Sequence, residues 1–114
     1  MLIEAGEQVH VIYLPIFEGS VRRHFLGEVT ASEGAVCRLE GYAFVYDPKV
    51  TTFVRKPEKR VTFIDLAESG YIVNIVGRGV RIDDVVYKYA SGIGLVATDG
   101  QAFVLDVNEF SVRN

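Results

Sequence analysis

Apolar and polar residues alternate with a period of two along most of this chain, and glycine or proline interrupts the alternation at short intervals. A period of two is typical of β-strands, whose successive side chains point to opposite faces of a sheet. Three interruptions, at residues 32–34, 68–70 and 98–100, combine an acidic residue with a glycine. Because glycine adopts positive φ at no steric cost, each is predicted to be the corner of an antiparallel hairpin.

The first predicted strand, residues 8–17, is apolar on both faces. A strand of this kind is usually central in a sheet or covered on both sides. Pro15 has no backbone N–H to donate, so a bulge or an edge position is predicted there. Residues 22–30 and 35–46 form the arms of the first hairpin, and Gly41 predicts a bulge or sharp bend in the second arm.

The rest of the chain reads as short strands joined by short turns. The predicted strands are 50–55, 61–67, 71–76, 80–82, 83–89, 95–97 and 102–105, with a short helix as the alternative for 83–89 and one helical turn at 108–110. This pattern predicts a single all-β domain spanning residues 1–114. The expected architecture is one antiparallel barrel, rolled sheet or sandwich of about eight to ten short strands, with at most a short helical turn.

The composition points toward a partner. The chain has 114 residues, of which 49% are hydrophobic, and its mean hydropathy is +0.21. These values argue against disorder and indicate that some apolar surface is covered. We therefore expect a homo-oligomer, with a dimer favoured, and a different protein partner stays open. The net charge of −3 opposes general attraction to phosphate backbones, so nucleic acid is not the expected partner.

The single cysteine, Cys37, excludes an internal disulfide and a four-cysteine zinc site. The first residues lack the basic and long apolar regions of a signal peptide. No apolar run approaches the roughly 18 residues that a membrane helix requires. We expect a cytoplasmic protein that does not bind membranes.

No constellation of nucleophile, base and ligand is visible, so neither a cofactor nor a metal is predicted, and the sequence favours a role other than catalysis. His10 and His24 lie on different predicted strands, and no metal-binding spacing links them. His10 is interpreted as a hydrogen-bonded histidine within a sheet, with a base or ligand role as the alternative. His24, beside Arg22 and Arg23, is predicted on the surface, and Cys37 in the core.

Aromatic residues form a stripe on one predicted strand. Tyr42, Phe44 and Tyr46 alternate onto one face, and Tyr87 and Tyr89 repeat that spacing later in the chain. Core or subunit interface is the favoured interpretation. A surface that stacks on bases or sugars, or the wall of a ligand cavity with His10 or a tyrosine as its polar group, is the alternative.

Basic residues concentrate at residues 55–60, in one predicted hairpin tip. Arg55, Lys56, Lys59 and Arg60 make up four of the 12 lysines and arginines of the chain. Such a loop can bind an anion or an acidic partner. The alternative is a solubilising loop whose lysines protect a sheet edge.

Three classes of function follow from these features. The leading hypothesis is a non-enzymatic binding or assembly module that associates with itself. The second is a small barrel that binds a ligand, or an enzyme, with an aromatic-lined cavity. The third is a barrel that binds single-stranded nucleic acid through the stripe and the basic loop.

Overall fold

The computed structural model describes residues 2–15, 19–68 and 70–107, and the strands among them form two antiparallel sheets. The all-β prediction is confirmed. The strands are β1 (Gln8–Tyr13), β2 (Arg23–Glu33), β3 (Val36–Asp47), β4 (Thr52–Arg55), β5 (Arg60–Asp65), β6 (Tyr71–Gly77), β7 (Val86–Ala90), β8 (Gly94–Thr98) and β9 (Val104–Asp106). Within the described ranges the one helical element is a 3₁₀ turn, Ile82–Asp84.

The larger sheet has the order β4-β3-β2-β1-β6, and β5 also pairs with β3. β1 has a neighbour on each side, which confirms the prediction of a central first strand. Pro15 lies beyond the end of β1, so it interrupts no pairing there. The smaller sheet has the order β7-β8-β9. β5 and β6 do not pair with each other in the described part of the chain, so no closed barrel forms.

Two of the three acidic-glycine turns close hairpins as predicted. Gly34 (φ 61°) lies between β2 and β3, and Gly100 (φ 78°) lies between β8 and β9. The hairpin predicted around residues 68–70 is wrong, because β5 pairs with β3 whereas β6 pairs with β1. Turn residues specify where the chain changes direction, but the free strand edges of β1 and β3 decide where the next strands bind.

The larger sheet is curled. Flat strands at about 4.8 Å spacing would separate β5 from β1 by roughly 14 Å, yet the side chains of Tyr13 of β1 and Thr62 of β5 are hydrogen-bonded to each other. The side chains on this face form one apolar cluster, here called the first core: Ile3, Val9, Val11, Phe25, Val29, Cys37, Leu39, Ala43 and Ile64, with Tyr71 and Val73 of β6 against it. The first core therefore fills the concave face of the sheet, and the opposite face is called the outer face.

A glycine pair marks the tight part of this curl. Gly27 and Gly41 are directly opposite each other in the β2–β3 pairing. A Cβ at Gly41 would overlap the carbonyl oxygen of Leu26, and one at Gly27 would lie 2.8 Å from that of Glu40. The register runs unbroken through Gly41, so the structure has the predicted bend there but no bulge. The bulge lies at Thr30, between Val29 and Ala31.

The smaller sheet covers part of the outer face and creates a second core. Its buried members are Leu26, Phe44, Phe53, Val85, Tyr87, Leu95, Ala97 and Val107. They come from β2, β3 and β4 on one side and from β7, β8 and the residues next to β7 and β9 on the other. The second core therefore fastens one sheet to the other.

The chain from β4 to β5 follows one edge of β3 instead of forming a hairpin. Thr52 to Arg55 pair with the end of β3, and Arg60 to Asp65 pair with its beginning. The predicted hairpin tip at residues 55–60 is therefore wrong. Pro57 cannot donate to the ladder, which accounts for the outward loop between the two strands. The segment predicted as residues 83–89 contains the end of the 3₁₀ turn followed by β7, and residues 108–110 lie outside the described residues.

Candidate functional site

Three polar rings meet at the junction between the two sheets. His10 of β1 and His24 of β2 both point to the outer face, because each alternates with residues of the first core. Tyr87 of β7 approaches them from the smaller sheet. Its hydroxyl lies 2.8 Å from Nε2 of His10 and 2.7 Å from Nδ1 of His24. We call this group the histidine–tyrosine junction.

The proton positions in the junction follow from the atom without a partner. Nδ1 of His10 is buried and has no hydrogen-bond partner among the described residues. Buried N–H groups without partners are the rarer and costlier case, so this nitrogen is assigned as an unprotonated acceptor. Nε2 of His10 then donates to the Tyr87 oxygen, and the same oxygen lies within hydrogen-bond distance of Nδ1 of His24. The chain of hydrogen bonds runs from β1 through the smaller sheet to β2.

Both histidines are neutral at ordinary pH. Burial, with a smaller contribution from His24, lowers the pKa of His10 to about 3. Burial, followed by the nearby charge of Arg22, lowers the pKa of His24 to about 4. Each side chain is 0% exposed. An imidazole without contact to solvent and with such a low pKa is poorly suited to exchange protons with a substrate near pH 7.

The prediction that His24 lies on the surface is wrong. Its ring stacks on Phe53 of β4, with centroids 4.1 Å apart and planes at 20°. The neighbouring arginines suggested solvent, but alternation along β2 sends His24 to the same side as Leu26, where the smaller sheet covers it. Sequence reasoning also missed Phe53 as a member of this site, since a short strand with one aromatic residue gives no distinctive pattern.

The aromatic stripe lies mostly in the second core. Phe44 is 1% exposed and packs against Tyr87 with ring centroids 4.8 Å apart, and Tyr42 and Tyr46 pack against the same cluster. Tyr89 is exposed, and its hydroxyl donates to the carbonyl of Thr51. The structure therefore brings Phe44, Tyr87 and His10 together and leaves Tyr89 apart from them. Cys37 lies in the first core as predicted, and burial raises the pKa of its thiol.

The basic loop is partly engaged within the molecule. Arg55 donates from Nη1 to the carbonyl of Asp83 at 2.6 Å, and its guanidinium lies 4.5 Å from the centre of the Tyr42 ring. Lys59 Nζ is 3.4 Å from the Asp83 carboxylate. A hydrogen bond from Tyr42, then the charge of Lys59, holds the pKa of Asp83 below its usual range. Lys56 and Arg60 are exposed.

A surface depression of about 570 Å³ lies between the segment after β6 and the β8–β9 turn. Val80, Phe103 and Val104 form much of its wall. The Asp99 carboxylate beside it accepts backbone N–H groups from Arg81 at 3.0 Å and Gln101 at 2.8 Å, and these bonds lower its pKa. This carboxylate thus holds the turn in place, and its oxygens are already occupied by the backbone.

A different part of the outer face is apolar and uncovered. Val61 and Phe63 of β5 are 59% and 62% exposed. They point to the outer face because the intervening residues, Thr62 and Ile64, turn toward the first core. The exposed isoleucines of β6, Ile72 and Ile75, are three positions apart and fall on opposite faces, so they form no such row. This surface, Val61 with Phe63, is called the β5 strip.

No group of three or more histidine, cysteine, aspartate or glutamate residues within residues 2–15, 19–68 and 70–107 is arranged to hold a metal ion. Those ranges also contain no helix of the length and apolarity required to cross a membrane.

Comparison with protein-family models, curated proteins and solved structures finds no match to this chain. Its function is therefore argued from its own geometry.

Proposed function

We propose that this chain is a non-enzymatic assembly module, a single all-β domain that associates with a second copy of itself through the β5 strip. The observation that carries the proposal is the exposure of Val61 and Phe63 side by side on a strand that has one sheet neighbour among the described residues. Unpaired strand edges bind other strands, and exposed apolar groups favour removal from water. In such a dimer, the second copy extends the larger sheet at the open edge of β5.

The energies involved fit a reversible complex. Full burial of a valine or phenylalanine side chain contributes about 1.5–3 kcal/mol, and a symmetric dimer would bury two such pairs. Val61 and Phe63 are already about two-fifths buried, which reduces the gain. Association costs at least about 4 kcal/mol in lost freedom of motion. The surplus is at most about 3 kcal/mol, so we expect a weak dimer that forms at about millimolar concentration.

The other two classes of function have weaker support. A ligand cavity lined by the aromatic stripe competes with the packing of Phe44 and Tyr87 in the second core. Binding of single-stranded nucleic acid competes with the internal contacts of Arg55, which donates to the carbonyl of Asp83 and lies over the Tyr42 ring. The β5 strip, in contrast, is not covered within the described chain.

The test is analytical ultracentrifugation of the pure protein across a concentration series. We expect the wild type to sediment as a monomer at low concentration and as a dimer at high concentration. Val61→Ser and Phe63→Ser should each weaken the dimer by about tenfold or more, because each removes apolar contact from both halves of the interface.

The matched control is Val104→Ser. Val104 is the same residue type as Val61, lies on the edge strand β9 and has a similar exposure of 54%. This variant should dimerise like the wild type. A wild-type chain that stays monomeric at the highest soluble concentration would contradict the proposal.

A further inference from the structure

We propose that the two copies pair through β5 in antiparallel orientation, about a two-fold axis at Thr62. Val61 then lies opposite the partner's Phe63, and Lys59 lies opposite the partner's Asp65. This inference rests on the self-association proposed above and adds to it the register and the charged contacts that fix it.

The outer face of β5 and its flank presents an ordered row of side chains. Val61 pairs with Glu40 of β3 and Phe63 with Arg38, and directly opposed residues in a sheet share a face. Lys59, just before β5, continues this face, since its Nζ lies 5.9 Å from the Tyr42 ring centre. Asp65 completes the row by alternation. In chain order, the outer face of β5 therefore carries a cation, two apolar groups and an anion.

The backbone N–H and C=O groups of β5 alternate between β3 and the opposite edge. Leu66 donates its N–H to the carbonyl of Ala35, which directs the backbone of even-numbered residues toward β3. Backbone groups alternate in direction along an antiparallel strand. Those of Val61 and Phe63 therefore point to the edge of β5 that pairs with no strand in the described part of the chain. In the proposed register these two residues form hydrogen-bonded pairs with the partner's Phe63 and the partner's Val61, giving four new backbone hydrogen bonds.

The order of side chains favours one register for the pairing of β5 with the partner's β5. A shift of one residue would place outer-face side chains opposite residues that face the first core. A shift of two, centred on Phe63, would place Val61 opposite the partner's Asp65. The equivalent shift in the other direction would place Lys59 opposite the partner's Phe63. Only pairing about Thr62 sets apolar groups against apolar groups and opposite charges against each other at both ends.

The charged ends are available for this contact. Lys59 and Asp83 form an exposed ion pair, with 46% and 66% of their side chains accessible, and such pairs hold their partners weakly. Asp65 uses Oδ1 to accept the N–H of Ala67, and its other oxygen takes no part in that bond. Each carboxylate can therefore meet the partner's Lys59 without loss of the local turn.

The experiment reverses one charge at a time and is performed at low salt, where exposed charges interact over longer distances. Lys59→Asp sets two carboxylates against each other at both ends of the interface, and Asp65→Lys sets two ammonium groups against each other. Each variant alone should dimerise about tenfold more weakly than the wild type. An equimolar mixture of the two should form a heterodimer, since each reversed charge then meets its complement. The double variant should recover the homodimer.

Lys56→Asp is the matched control. It reverses an exposed charge in the same loop, but Lys56 does not belong to the outer-face row of Lys59, Val61, Phe63 and Asp65. It should dimerise like the wild type. Circular dichroism checks that each variant is folded. If a reversed variant does not fold, Lys59→Gln and Asp65→Asn replace the pair, and each should weaken the dimer by about threefold.

The outcomes separate the two proposals. A wild-type dimer whose affinity is unchanged in Lys59→Asp and Asp65→Lys, with no preference for the heterodimer in their mixture, would overturn the pairing and leave self-association standing. A monomeric wild type would overturn both. Selective formation of the heterodimer supports the pairing, because a dimer built on another surface would show no such preference.

Discussion

The outer face of the larger sheet has two halves with opposite chemistry. In the half covered by the smaller sheet, the polar rings of His10 and His24 are fully buried against Tyr87. In the uncovered half, the apolar side chains Val61 and Phe63 are mostly exposed. Burial in this protein therefore follows the position of the smaller sheet and not the polarity of the residues beneath it.

The difference shows what each half requires. Burial of polar groups is tolerated in the covered half because the Tyr87 hydroxyl satisfies one nitrogen of each histidine. These directional bonds also fix how the two sheets align, which apolar contacts alone do less strictly. The uncovered half has apolar groups and an unpaired edge, and a second copy would supply the missing cover. Four predictions, including those made above for β5, test this contrast.

Acid should produce the largest effect on the covered half. The folded-state pKa values of His10 and His24, about 3 and about 4, lie below the ordinary value of 6.5. The unfolded chain therefore binds protons first, and stability is lost as the pH falls below 6.5. The loss continues until the folded state itself becomes protonated. By pH 5 the two histidines together should lower the free energy of unfolding by about 4 kcal/mol.

Urea unfolding between pH 7 and pH 5 measures this loss, in a range where carboxylates of ordinary pKa change little. The slope of stability against pH near 5.5 should correspond to uptake of about two protons on unfolding. A slope below one proton would show that the folded protein does not hold both histidines neutral. That result would contradict the description of the covered half as a site of buried, neutral histidines.

Removal of the Tyr87 hydroxyl should produce the next largest loss in the free energy of unfolding. Tyr87→Phe removes the hydroxyl that contacts one buried nitrogen of His10 and one of His24, which should cost about 3 kcal/mol of stability at pH 7. Tyr89→Phe is the control on the same strand, because its hydroxyl is exposed and its loss should cost less than about 1 kcal/mol. Equal losses in the two variants, measured by urea unfolding, would show that the junction adds little.

The serine variants and charge reversals of β5 should produce the third-largest effect, which is a change in dimer affinity at the uncovered half. Val61→Ser and Phe63→Ser should change the dimer affinity by about tenfold yet lower the unfolding free energy of the isolated monomer by only about 1 kcal/mol, because each side chain is about two-fifths buried in the single chain. Unfolding at a concentration below the dimer range provides the measurement. A large loss in the monomer would mean that these side chains belong to the core of the single chain.

The smallest effect is expected at the boundary between the halves, where Lys59 contacts Asp83. Asp83→Asn keeps an oxygen that can accept from Tyr42 and removes only the charge. Stability should fall by less than about 1 kcal/mol, because both partners are exposed. The variant should also leave Lys59 freer to meet the partner's Asp65, so the dimer should be at least as strong as in the wild type. A weaker dimer in sedimentation would contradict that role for Lys59.

Much of the fold follows directly from local sequence. Alternation predicts most strands, and it places Tyr42, Phe44 and Tyr46 on one face because successive side chains of a strand diverge. Glycine at residues 34 and 100 predicts two real hairpins, since both adopt positive φ. These features depend on neighbouring residues alone.

The partners of β5 and β6 depend on more than local sequence. The acidic-glycine turn at residues 68–70 resembles the other two, yet it joins strands on opposite sides of the sheet. The curl around the first core, tightened at Gly27 and Gly41, brings the strand edges into reach. No property of the turn itself encodes that geometry.

In the histidine–tyrosine junction, local sequence places His24 on a strand, but the pairing of that strand decides which face His24 occupies. Near the turn, Glu33 pairs with Val36, and continuation of this register would set His24 opposite Val45, on the side of the first core. The bulge at Thr30 shifts the pairing by one, so His24 lies opposite Phe44 and beneath Tyr87. Threonine gives no bulge signal of the kind that glycine does. The sequence by itself thus determined the strands and their faces, whereas the tertiary structure decided which faces meet, because a one-residue slip in register reverses every side chain beyond it.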